Sequence, residues 1–279
     1  MITNPNVKIN LGLNVLRKRP DGYHDIETVF VPYFDIHDTL EIITGDDYSH
    51  TSAKLFARYS EDEIAQAITE DGKLMITIAR SEGVSWDPLM DLTAKAYMLL
   101  AEDFKLSPVK IFLEKTSPVG AGLGGGSSDA AFALKMLSEM FSLSLSDAAL
   151  ADYASKLGSD CACFIYNKPM LGTGRGEVLT PFDLDLGDAQ INVLVPEGVA
   201  VSTAEAYGEI VPKEPVRAIH DILKLPIAQW KDLLVNDFEA TVFVKHPELA
   251  AIKASLYDSG AVYASMSGSG SAVFGIYIA

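Results

Sequence analysis

Five of seven consecutive positions, 120–126, are glycine in Pro118-Val119-Gly120-Ala121-Gly122-Leu123-Gly124-Gly125-Gly126-Ser127-Ser128. Such a stretch removes Cβ atoms wherever a bulky anion must approach the backbone. Before it, Val109-Lys110-Ile111-Phe112-Leu113-Glu114-Lys115 reads as a strand. After it, Ser127-Ser128-Asp129 offers N-cap chemistry for a helix with the apolar stripe Ala130, Ala131, Leu134, Leu137 and Phe141. The free N–H groups and positive dipole end of that helix would then face the loop, the general geometry for binding phosphate. A flexible linker fits less well, because strand and capped helix bracket the glycines tightly.

Two better-known loops fail on the neighbouring residues. Gly120-x-Gly122-x-x-Gly125 matches the dinucleotide fingerprint formally, but the element that follows reads as another helix rather than a second parallel strand. A P-loop needs Lys after its second glycine, and Gly126 stands there.

Elsewhere the pattern alternates between strand and helix without strict βαβ order. Strands are expected at residues 7–13, 28–31, 39–43, 73–78, 191–195, 261–266 and 272–278, with a turn at Pro20-Asp21-Gly22-Tyr23-His24. Helices are expected at residues 90–104, 146–157, 218–225 and 247–257, and a short one at 60–68 within a polar excursion. Clusters of both kinds argue for an α+β chain of two lobes meeting near residue 156, which divides it into 1–156 and 157–279.

With 22 Lys plus Arg against 38 Asp plus Glu, the net charge of −16 argues against nucleic acid or an anionic membrane as partner. A small phosphorylated ligand stays compatible, since a nest of backbone N–H groups binds it locally. The only cysteines, Cys161 and Cys163, are too closely spaced for an unstrained disulfide or a structural zinc site. With no basic-then-apolar leader and no apolar run of about 18 residues, a cytoplasmic location is expected.

Three segments in order carry a family resemblance: Lys8-Ile9-Asn10-Leu11, residues 118–130, and the late turn Gly268-Ser269-Gly270. Together they resemble the motifs of the GHMP kinases, whose glycine loop holds the ATP phosphates. The resemblance implies a ribosomal-protein-S5-like N-terminal lobe, a C-terminal α/β sandwich lobe, and an active site in the cleft between them. It places ATP at Pro118, Gly120, Gly122, Leu123, Gly124, Gly125, Gly126, Ser127 and Ser128. Mg²⁺ is implied as well, with Ser127 and Ser128 as alternative ligands.

Within that superfamily, Arg19-Pro20-Asp21-Gly22-Tyr23-His24 and Leu157-Gly158-Ser159-Asp160 resemble the branch that acts on a cytidylyl-bearing alcohol in the non-mevalonate isoprenoid route. The implied substrate is 4-diphosphocytidyl-2-C-methyl-D-erythritol, phosphorylated by ATP on its 2-hydroxyl. Carried over by position, Asp160 is the general base and Lys8 its catalytic partner, while Asn10 fixes Lys8 or the substrate. Tyr23 and Tyr207 would stack on cytosine, His24 would read its edge, and Thr203 would lie beside the substrate. Two departures stand out: Cys161-Ala162-Cys163 follows the aspartate where relatives carry proline, and Asp91 replaces an Asn near the adenine. Read alone, Lys8 is a strand lysine, Asp160 a helix cap and Tyr207 a half-buried aromatic. Rival functions are a kinase for another alcohol and an ATP-binding protein without turnover.

Overall fold

The chain, described here over residues 1–45 and 47–278 in a computed structural model, is α+β and divides into two compact units. The first comprises Met1–Val7, Tyr33–Val119 and Gly124–Asn167; the second comprises Lys8–Pro32, Gly120–Leu123 and Lys168–Ala279.

In chain order the elements are β1 (Ile2–Thr3), β2 (Asn6–Lys18), β3 (His24–His37), β4 (Thr39–Thr44), α1 (Ser52–Arg58), β5 (Ile64–Ile68), β6 (Leu74–Ala79), α2 (Leu92–Asp103), β7 (Val109–Glu114) and α3 (Gly125–Met140). There follow α4 (Asp147–Leu157), α5 (Cys161–Tyr166), β8 (Met170–Thr173), β9 (Val178–Pro181), β10 (Gln190–Leu194), α6 (Thr203–Gly208), α7 (Ile219–Ile222), α8 (Glu239–Lys245), α9 (Pro247–Asp258), β11 (Tyr263–Met266) and β12 (Val273–Tyr277).

The first unit is built on a five-stranded sheet in the order β1-β4-β7-β6-β5. Strands β6 and β7 run parallel from Leu74↔Val109 to Ala79↔Glu114, and the other pairs are antiparallel. A parallel pair needs a crossover, and α2 supplies it. Helix α3 packs on α2, α4 and α5, burying Ala130, Ala131, Leu134 and Leu137 as the 3.6-residue stripe requires.

The second unit holds a four-stranded sheet, β2-β3-β8-β9, and a three-stranded one, β10-β12-β11. Helix α9 covers β11 and β12, and Phe238, Val242, Leu249, Leu256, Met266 and Val273 share one apolar cluster. Burying each such side chain contributes about 1.5–3 kcal/mol, before the entropy of ordering the chain is counted.

Three local expectations are corrected. Residues 60–68 hold a 3₁₀ turn and then strand β5, not a helix, because Ile64-Ala65-Gln66-Ala67-Ile68 finds a ladder on β6 that outweighs the helix propensity of its alanines. Helix α3 begins at Gly125 with Gly124 as N-cap at φ +73°, so Ser127, Ser128 and Asp129 lie within its first turns rather than capping it. The helix expected over 218–225 shortens to α7, with Pro226 stopping any extension. By contrast, Ser146 caps α4 as its residue type suggests, accepting from Ala149 N–H at 3.2 Å.

Candidate active site

In the second unit, β2 alternates Lys8 and Asn10 onto one side of the strand, since side chains repeat every two residues. Both are 2% exposed. Lys8 Nζ donates to Asn10 Oδ1 at 2.6 Å and to the Gly122 carbonyl at 2.9 Å, and its backbone N–H donates to the Leu123 carbonyl at 3.0 Å. Asn10 Nδ2 in turn donates to Thr28 Oγ1 at 3.0 Å. The ammonium group is thus held by oriented acceptors in a dry setting, where its charge acts at greater strength than in water.

The late glycine turn completes this arrangement. Ser267 Oγ donates to the Gly122 carbonyl at 3.0 Å, and Ala272 N–H donates to the Ala121 carbonyl at 3.0 Å. Asn236, which sequence reasoning missed, donates from Nδ2 to the Met266 and Gly268 carbonyls at 2.8 Å each and fixes the turn. Its only sequence signal is the polar pair Asn236-Asp237 inside an apolar run, which reads as an ordinary loop.

The glycines of the loop are required for different reasons. A Cβ on Gly122, whose φ is +74°, would come 2.1 Å from the Ser267 carbonyl oxygen. A Cβ on Gly125 would come 2.4 Å from Ser117 Oγ. Added at Gly120 or Gly126, it would meet nothing within 4 Å, leaving room for a ligand beside the backbone.

In the first unit, Gly124, Gly125, Gly126, Ser127 and Ser128 form the start of α3, while Pro118 ends the segment leading into the loop. The Ser128 hydroxyl is buried with no hydrogen-bond partner among the described residues. Ser127 hydrogen-bonds the Cys161 thiol, whose pKa is pushed up to about 12 by burial against that bond, so the thiol is inert. Asp160 precedes Cys161 directly and stands at the N-cap position of α5, but its side chain makes no capping hydrogen bond. Helix α5, which Asp160 directly precedes, packs against α3. Asp91 caps α2 by accepting from Thr93 N–H at 2.9 Å and also accepts from Trp86 Nε1 at 3.1 Å, so both its oxygens serve structure.

The residues expected at cytosine lie in the second unit. Tyr23 is 54% exposed, and the Arg175 guanidinium lies 4.9 Å from its ring centroid. His24 stacks on Tyr207 at 4.7 Å, with Phe238 edge-on against Tyr207. Thr203 and Tyr207 are four residues apart on α6 and so share a face; Thr203 is exposed.

A further buried group in the first unit was not anticipated. Lys115 Nζ lies 2.5 Å from Asp38 Oδ2 and 2.6 Å from Asp129 Oδ2, with all three side chains at most 3% exposed. Breaking such a group by removing one partner typically costs about 3–5 kcal/mol.

These features, two units with a glycine loop opening α3 and a buried lysine on β2, are those of a small-molecule kinase. The family models described as GHMP kinases N terminal domain and GHMP kinases C terminal match residues 91–168 and 218–278. Over 278 residues, 99% of this chain and 92% of the relative, it is 46% identical to a 4-diphosphocytidyl-2-C-methyl-D-erythritol kinase of Bacteroides fragilis. The kinase of the same name from Bacteroides thetaiotaomicron is 47% identical over 277 residues, with the same two coverages. A crystal structure of 4-(cytidine 5'-diphospho)-2C-methyl-D-erythritol kinase superimposes with a TM-score of 0.76 at 28% identity, covering 99% of this chain and 90% of that one. The chain therefore belongs to the 4-diphosphocytidyl-2-C-methyl-D-erythritol kinase family of the GHMP kinases.

Proposed function

We propose that this enzyme transfers the γ-phosphoryl group of ATP to the 2-hydroxyl of 4-diphosphocytidyl-2-C-methyl-D-erythritol, a step of the non-mevalonate route to isopentenyl diphosphate. The observation that carries the reading is near full-length similarity, at 46% identity, to a kinase bearing that substrate's name.

The residues fit the chemistry required. An alcohol is a weak nucleophile until its proton leaves, so Asp160 accepts that proton as the C2 oxygen forms its bond to phosphorus and the bond to ADP breaks. Lys8, oriented by Asn10 and the Gly122 carbonyl, stabilises negative charge on the moving phosphoryl group. The amides opening α3, at Gly124, Gly125, Gly126, Ser127 and Ser128, bind the ATP phosphates together with Pro118, Gly120, Gly122 and Leu123.

Mg²⁺ fits this site through a hard oxygen donor, because the buried Ser128 hydroxyl lacks a partner among the described residues, and Ser127 is the alternative ligand. When bound, it would neutralise and order the phosphate charge. Tyr23, His24, Thr203 and Tyr207 hold the cytidylyl half of the substrate. The sequence divides into an N-terminal ATP-binding domain, 1–156, and a C-terminal GHMP kinase domain, 157–279. Among the described residues no helix is long and apolar enough to cross a membrane. The charge of −16 repels polyanions, and the enzyme acts on a small molecule rather than on nucleic acid or a membrane, in the cytoplasm.

The test is ADP release with a panel of the cytidylyl alcohol, mevalonate and homoserine. Turnover with the first alone is expected; preference for either of the others would overturn the reading.

A further inference from the structure

We propose that Lys115, Asp38, Asp129 and Ser117 form a positioning cluster that seats the first turn of α3 and thereby sets affinity for the nucleotide. The inference rests on the reading of α3 as the phosphate-binding helix.

Asp38 is fully satisfied. Its Oδ1 accepts from the Thr116 and Ser117 N–H groups at 2.7 Å each, and its Oδ2 accepts from Ser117 Oγ at 2.6 Å and Lys115 Nζ at 2.5 Å. Four donors on one carboxylate lock the backbone just before the glycine loop. On the far side of the loop, Asp129 takes Lys115 on Oδ2 at 2.6 Å, while its Oδ1 is buried without a hydrogen-bond partner among the described residues.

Asp129 lies one helical turn beyond Gly125, on the same face of α3. Gly125 rests so closely on the cluster that a Cβ there would come 2.4 Å from Ser117 Oγ and 3.4 Å from Lys115 Nζ. The first turn of α3 is therefore tied down at two points one turn apart, one by contact and one by an ion pair. A cluster needed for stability alone could lie anywhere in the core. This one joins the residues immediately before the loop to those immediately after it, which fixes the direction of the amides that face a phosphate. Preset direction is what makes such amides effective, since no reorganisation is then needed on binding.

The two carboxylates are not equivalent. Asp38 uses both oxygens to accept four donors, whereas Asp129, among the described residues, accepts only from Lys115 on Oδ2, a bond that an amide oxygen can also make. An amide at position 129 is thus a closer substitute than one at position 38.

The experiment measures binding of a non-hydrolysable ATP analogue by calorimetry, KM for both substrates, and thermal unfolding, for Asp38→Asn, Asp129→Asn, Asp129→Leu and Ser117→Ala. Asp38→Asn and Asp129→Leu are expected to weaken the analogue about 10-fold or more while KM for the alcohol moves less than about 3-fold. Asp129→Asn is expected to recover at least about 5-fold of the affinity lost in Asp129→Leu. Ser117→Ala, which removes no charge, should weaken the analogue selectively by about 3-fold or more, and it decides the matter if the charge variants do not fold. Folded variants with unchanged analogue affinity, or with both substrates weakened alike, would overturn the proposal. Analogue binding is read without any alcohol, so a wrong substrate would show as absent wild-type turnover while these ratios still decide the role of the cluster.

Discussion

The imidazole of His24 lies face to face with the ring of Tyr207, 4.7 Å between centroids and 19° between planes. Burial, helped by the positive charge of Lys18, holds the His24 pKa below its ordinary value. The unfolded chain therefore binds a proton at a higher pH than the folded chain does. Stability from this residue is present above the unfolded value of about 6.5 and is lost as pH falls through it toward the lower folded value. Thermal unfolding from pH 8 to pH 5 should show wild type losing more stability than His24→Asn; parallel curves would show that burial and Lys18 do not disfavour the charged ring.

Catalysis should depend on Asp160 and Lys8 in turnover more than in binding. Asp160→Asn is expected to lower kcat by about two to four orders of magnitude, the scale for loss of a general base, with substrate affinity within a few-fold. Lys8→Met should behave similarly, because its ammonium is already held by Asn10 and the Gly122 carbonyl before any substrate arrives. A change confined to KM in either variant would assign that residue to binding.

Gly122 and Gly126 should respond oppositely to alanine. At Gly122 the positive φ and the 2.1 Å approach to the Ser267 carbonyl predict a loss of stability of about 1–3 kcal/mol, read by chemical unfolding. At Gly126, inside α3 with open space around it, alanine should preserve or slightly raise stability while weakening ATP. Equal destabilisation by the two would mean that the space beside Gly126 is not open, and unchanged ATP affinity in Gly126→Ala would mean that it is not a ligand site.

Much of this site was readable locally. The glycine loop advertises itself within eleven residues, and Lys8 and Asn10 share a face because a strand repeats every two residues. The Lys115 cluster is not local. Asp38 and Lys115 are 77 positions apart, and they meet only because the antiparallel β4–β7 register opposes Thr39 to Glu114, so that Asp38, just before β4, lies opposite Lys115, just after β7. Nothing in the flanking sequence sets that register. Strand β5 failed for a related reason, since five residues with two alanines become a strand only when β6 offers a ladder. Asn236 acts through carbonyls 30 and 32 positions away, a distance at which a polar residue in an apolar run looks like any loop.

The last prediction concerns specificity and turns on Tyr23. Its ring is more than half exposed, and one neighbour of its π face is the Arg175 guanidinium at 4.9 Å, so it presents aromatic surface already polarised by a cation. If a cytosine stacks there, the nucleotide half of the alcohol anchors the molecule away from the reacting hydroxyl, and such remote binding energy serves to position that hydroxyl. Methylerythritol 4-phosphate, which lacks the cytidylyl group, should then be a very poor acceptor. Tyr23→Ala should cost the cytidylyl substrate about 1–3 kcal/mol, the scale of one base–aromatic stack, and leave ATP affinity nearly unchanged. Tyr23→Phe, which keeps the face and drops only the hydroxyl, should stay close to wild type. Steady-state kinetics with both alcohols decides: equal use of the two, or indifference to Tyr23→Ala, would move the base-binding surface away from the turn that carries Tyr23 and leave the substrate's recognition to other residues.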